Sequence, residues 1–139
     1  MIELTDEMRE VLSTALMDRA PVIVASAGAD GQPFVAFYGT AQVYSRDQLA
    51  LWARNPEAGF LRRIAENPQV AVLYRNHEKR IGWQFHGRAA INDDPEVRDA
   101  VYTAAPEVEQ NTDPERRGKA VLIDVARVIQ RGQVIMQRD

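Results

Sequence analysis

The sequence predicts a mostly β fold, a six-stranded antiparallel barrel with peripheral helices. Three observations lead there. Six short segments are apolar, β-branched or alternating, and most are parted by Gly, Pro, Asn or Asp. Helical periodicity appears in only three places, near the start, in the middle and late in the chain, and crossovers so few and uneven do not suit a parallel sheet. Finally, 139 residues make one domain, residues 1–139, with room for a core that needs no disulfide staples.

The elements follow in order. Leu4, Met8, Val11, Leu12, Ala15 and Leu16 share one helical face, so a helix is expected from Thr5 to Asp18, with Thr5 as its cap and Asp6 and Glu7 in its first turn. Ala20 to Ala27 reads as a buried strand, and Gly28-Ala29-Asp30-Gly31 as a turn. Phe34 to Tyr44 reads as a second, long strand with Gly39 inside it, which marks a bulge, a bend or the close approach of a ligand. A turn at Ser45 to Gln48 leads to a third strand, Leu49 to Arg54, which completes an antiparallel meander. A helix from Pro56 to Glu66 buries Phe60, Leu61 and Ile64. Val70 to Arg75 is the fourth strand. Ile81 to Ile91 is the fifth, with Trp83, Phe85 and Ala89 on one face and Gln84, His86 and Arg88 on the other. Asp94-Pro95-Glu96 opens a third helix. Thr103 to Gly118 is polar and acidic and reads as loop with a short helical piece. Lys119 to Met136 is a sixth strand or a strand pair, bent near Gly132.

Composition narrows the function classes. The net charge is −3 and the isoelectric point about 5.4, which argues against a general binder of nucleic acid or of anionic membranes. There is no Cys, so disulfides and thiolate metal sites are excluded. His77 and His86 have no carboxylate at a ligand spacing, so no metal site is expected. The N-terminus MIELTDEMRE lacks the basic start and apolar run of a signal peptide, and no apolar run is long enough to span a bilayer; the expected location is the cytoplasm. No Gly-rich phosphate loop and no nucleophile elbow is present.

The stretch from Arg54 to Ala89 carries the most information. A strand runs into a helix start at Asn55-Pro56, and a helix N-terminus beside arginines can hold a phosphate. The ordered set LALWA, RRIAENP, QVAVLYR, HEKR and FHGRA, followed by INDDPE, resembles the pyridoxamine 5'-phosphate oxidase-like superfamily, the FMN-binding split barrels. The resemblance runs from the first helix to the last strand. It implies a split β-barrel that forms a homodimer and holds FMN, or in some branches a deazaflavin or haem, at the dimer interface. It implies a small flavin-dependent oxidoreductase whose substrate the sequence does not name. A ligand-free structural or interaction dimer is the alternative of a different class.

The resemblance also supplies candidate cofactor-binding residues. Trp52 and Ala53 fall on the strand that lies along the flavin, and Arg54 at its end falls among the phosphate contacts. The family's basic pair early in the next helix falls here on Gly59-Phe60, which leaves Arg54, Arg62 and Arg63 as substitutes. Lys79 and Arg80 match a basic turn. Gly82 stands at the family's Gln position, so Gln84, with the same side-chain parity, is the nearest candidate. The last residues, IMQRD, do not match the Trp, Arg and His substrate segment of a true pyridoxamine phosphate oxidase, so that activity is not expected.

Overall fold

The computed structural model describes residues 1–139, with eight strands and four helices. Helix α1 (Asp6–Ser13) is capped by the Thr5 hydroxyl, which accepts from the Met8 N–H at 3.1 Å. It stops before Asp18, because the chain winds through turns from Thr14 until Arg19 reverses it with a φ of 58°.

Strands β1 (Val22–Ala27) and β2 (Pro33–Tyr38) form a hairpin whose turn contains Gly31 at a φ of 77°. The segment expected as one strand to Tyr44 is in fact two. The chain leaves strand geometry at Gly39 and resumes as β3 (Gln42–Ser45), which pairs with β4 (Gln48–Ala53). The final segment is likewise two strands, β7 (Lys119–Gln130) and β8 (Gln133–Gln137), reversed by Arg131 and Gly132 at positive φ. These two breaks raise the strand number from the expected six to eight.

With β5 (Gln69–Asn76) and β6 (Ile81–Asn92), the strands form one antiparallel sheet in the order β2-β1-β5-β6-β7-β4-β3, and β8 adds to β7. The meander expected of the first strands is therefore opened out, with β2 and β3 at opposite ends of the path. Only Gly39, Thr40 and Ala41 separate them in sequence, so the sheet must roll until its ends meet. The product is a split barrel.

Alternation fills its interior. Val22, Val24, Leu51, Val72, Tyr74, Phe85, Ile123 and Val125 point inward and are fully buried. Met8, Val11 and Leu12 of α1 and Phe60, Leu61 and Ile64 of α2 (Gly59–Glu66) complete the same core. Each such side chain contributes about 1.5–3 kcal/mol. Strand β4 is covered on both faces. Its inner face packs Leu49, Leu51 and Ala53 into the barrel, and its outer face puts Ala50 and Trp52 against Val101 of α3 (Pro95–Ala104). Helix α3 starts as expected, with Asp94 accepting from the Glu96 N–H at 2.8 Å and Pro95 in the first position. A short α4 (Glu107–Gln110) follows in the polar stretch. No helix is long and apolar enough to cross a membrane.

One boundary matters for the site. Helix α2 starts at Gly59 and not at Asn55-Pro56. Asn55 makes a local turn instead. Its side chain accepts from the Glu57 N–H at 3.0 Å and its carbonyl from the Ala58 N–H at 3.1 Å, so the chain enters the helix only after Ala58, which offers no side-chain cap.

Candidate cofactor cleft

The β2–β3 bend, the outer face of β4 and the α3–α4 segment enclose a cleft of about 300 Å³, at the small end of ligand cavities. Trp52 reaches it because β4 alternates: its neighbours Leu51 and Ala53 point into the barrel, so the indole emerges outside. The ring stands edge-on to Tyr102 at 5.2 Å and 77°, with the Arg98 guanidinium 5.0 Å above it. Tyr38 and Phe37 of β2 line the same cleft.

A buried carboxylate fixes this wall. Asp113 accepts from Trp52 Nε1 at 2.9 Å, and from the backbone N–H groups of Arg117 and Gly118 at 2.9 Å each. Burial alone would raise its carboxyl. The three donors and the Arg117 charge outweigh burial and hold it below the ordinary 3.8, so it stays ionised. The polar stretch around it is tied down as well. Tyr102 donates its hydroxyl to the Gln110 carbonyl at 2.9 Å, and Arg116 pairs with Asp99 at 2.8 Å while lying 4.3 Å from the Tyr102 ring.

Two charged side chains line the cleft, Arg54 and Glu109. Arg54, exposed where β4 ends, has no salt-bridge or hydrogen-bond partner. Glu109 reaches back across the cleft and accepts from the Thr40 hydroxyl at 3.0 Å. Burial pushes its carboxyl above the ordinary 4.5, and the Thr40 hydroxyl and N–H offset only part of that. The carboxyl occupies the space where Gly39 lacks a side chain; a Cβ on Gly39 would overlap it. The close approach of a ligand was one expectation for this glycine; the space is instead taken by the chain's own Glu109.

The remaining predicted residues lie elsewhere. Ala53 is buried in the barrel core, so its side chain faces away from the cleft. Arg62 is exposed and lies 3.8 Å from Glu66 on its own helix. Arg63 donates to the Ser26 hydroxyl at 2.9 Å and sits 3.9 Å above the Phe34 ring, on the β1–β2 hairpin. Lys79 pairs with Asp18 at 3.1 Å. Arg80 and Gln84 line a different, open cleft of about 500 Å³ together with Arg75, His77 and Arg131. Gln84 also holds His86, whose Nε2 lies 2.6 Å from its Oε1, and burial and then Arg127 push His86 below its ordinary 6.5. Within one chain the structure therefore brings together Trp52 and Arg54, and separates them from Arg62, Arg63, Lys79, Arg80 and Gln84. Sequence reasoning missed Tyr38, Thr40, Tyr102 and Glu109. Only Gly39 carried a signal for them.

Comparison with known proteins places this fold. Several solved structures share it at low identity. HupZ from Group A Streptococcus is 18% identical with a TM-score of 0.68, over 97% of this chain and 98% of that one. An FMN-binding protein from Syntrophomonas wolfei is 8% identical with a TM-score of 0.70, over 91% and 88%. A protein related to general stress protein 26, of the pyridoxinephosphate oxidase family, from Clostridium acetobutylicum is 14% identical with a TM-score of 0.64, over 96% of both chains. None of the curated proteins matches. The sequence profile described as pyridoxamine 5'-phosphate oxidase matches residues 4–131, nearly the whole barrel with its cleft, and the chain belongs to that family.

Proposed function

We propose that this protein binds a flavin, FMN, as a homodimer and serves as a small flavin-dependent oxidoreductase. The observation that carries the reading is the cleft beside the β2–β3 bend. It combines aromatic walls (Trp52, Tyr102, Tyr38), a cation without a partner (Arg54) and a single acidic acceptor (Glu109). Those groups suit a planar heteroaromatic ligand with an anionic tail. The family membership and the FMN-binding protein of the same fold support the same choice. When bound, the flavin supplies the redox chemistry, and the chain supplies binding, orientation and exclusion of water.

Two features support the dimer. Strand β2 lies at the end of the sheet path, and its Phe34, Val35 and Phe37 are 50%, 65% and 72% exposed. An apolar edge strand of this kind seeks cover. A cleft of about 300 Å³ is also small for a whole FMN, so the ligand would need a second wall. A two-fold partner can supply both, and can bring its own Arg80 or Arg88 toward the ligand.

The visible spectrum of freshly purified protein tests the reading. The bound flavin predicts two bands, in the near ultraviolet and the blue, released by denaturation as FMN. A deazaflavin spectrum, a haem band or a colourless protein that takes up no FMN would each replace it, the last in favour of a ligand-free interaction dimer.

A further inference from the structure

Glu109 puts an acid in the wall of a cleft proposed for an anionic ligand. It is the only acid lining the cleft, and Arg54 is the only base. Its carboxyl is bonded to Thr40 and seated in the gap at Gly39, which directs it without clamping it. The Thr40 hydroxyl engages Oε2 and the Thr40 N–H also bonds the carboxylate, which has about four acceptor positions, so capacity remains for a further donor. A ligand group placed against it must donate a hydrogen bond, because an anion or a bare carbonyl there would be repelled. The anionic tail is therefore directed toward Arg54, and the donor-bearing edge toward Glu109.

We infer that Glu109 determines the ligand specificity of the cleft by accepting a hydrogen bond from a ring N–H. For a flavin, the matching donor is N3–H on the pyrimidine edge. The inference rests on the proposal that a flavin ring occupies this cleft. Glu109 acts here as a contact to the ligand, and Thr40 and Gly39 act as positioning residues behind it.

Lumiflavin and N3-methyl-lumiflavin test this, since neither carries a phosphate and Arg54 drops out of the comparison. Both are titrated into wild type, Glu109→Ala and Glu109→Gln, with flavin fluorescence as the readout and circular dichroism as the check on folding. A hydrogen bond to a charged acceptor corresponds to about a tenfold or greater difference in affinity. The wild type should prefer lumiflavin over the methylated ring by at least that factor. Glu109→Ala should lose the preference, and Glu109→Gln, which keeps a neutral acceptor, should fall between. Equal preference in wild type and Glu109→Ala would overturn the inference while leaving the flavin reading intact. Tighter lumiflavin binding by Glu109→Ala would also overturn it, by showing that the carboxyl obstructs the cleft. Failure of the wild type to bind either ring, with FMN binding intact, would overturn it by showing that the ring edge contributes too little for Glu109 to set the specificity. Failure to bind FMN as well would remove the flavin reading itself.

Discussion

The Trp52 indole N–H points at Asp113 Oδ2, 2.9 Å away, and this bond joins the end of β4 to the loop that enters β7. It turns a polar stretch with few large apolar side chains into the fixed wall of a cleft. Asp113→Ala should leave the Arg117 and Gly118 N–H groups and the indole without their acceptor, and cost roughly 2–3 kcal/mol. The sign with pH follows from the lowered carboxyl. Its contribution is complete above the ordinary 3.8 and is lost as the pH falls below that value through the folded-state value. Urea denaturation at pH 7 should separate wild type from Asp113→Ala, and the gap should narrow as the pH drops below 3.8. A constant gap would show that the loss is one of packing and not of charge.

Three glycines should answer differently to one added methyl. At Gly39 the obstacle is the end of a flexible side chain, Glu109, and at Gly87 and Gly118 it is backbone, the carbonyl oxygens of Asp124 and Ala53. Gly39→Ala should cost about 1 kcal/mol, and less in a Glu109→Ala background; the backbone-facing pair should each cost about 3 kcal/mol. Thermal melts of the single and double variants check this. Additive losses for Gly39→Ala and Glu109→Ala would mean that the two sites do not meet.

Tyr74 is fully buried, and its hydroxyl has no partner. Its ring stacks on Trp83 at 5.8 Å, so the ring matters to the core and the oxygen does not. Tyr74→Phe should be neutral or stabilise the fold by up to about 1 kcal/mol, since a buried unpaired hydroxyl carries a desolvation cost. A loss above that size in chemical denaturation would reveal a role for the hydroxyl.

The exposed edge of β2 gives a direct test of assembly. Phe37→Glu places a charge where apolar cover is expected, and it should convert the dimer to monomer in sedimentation equilibrium at micromolar concentration. Because Phe37 is 72% exposed in the single chain, the variant should keep its fold. A wild type that sediments as a monomer would contradict the proposed dimer outright.

Much of this was legible in the sequence. Thr5 and Asp94 announced their helices because capping is local, and Phe60, Leu61 and Ile64 followed from a 3.6-residue period. A strand pair around Gly132 is one of the two readings the sequence allows and is the one observed, whereas the break at Gly39 does not read as a strand end, because β propensity continues through it. Asn55-Pro56 looked like a helix start, yet Asn55 satisfied its own turn first. The site was harder to see, because Glu109 meets Thr40 across 69 residues of chain, a tertiary contact with no local pattern. Arg54 stands out in the sequence from the family resemblance and from a helix start expected beside it at Asn55-Pro56; the helix starts instead at Gly59, and what remains is that Arg54 lines the cleft.

Arg54 carries the central claim, that the cleft holds the phosphate of FMN. Its guanidinium has no partner in the chain and the residue lines the cleft from the end of β4, so it is the group proposed to hold the FMN phosphate. FMN and riboflavin should be titrated by fluorescence into wild type and Arg54→Ala. One charge-assisted contact is worth roughly 1.5–3 kcal/mol, so Arg54→Ala should weaken FMN by about ten- to a hundredfold and riboflavin hardly at all. Equal losses for the two ligands, or no saturable FMN binding by the wild type, would contradict the account.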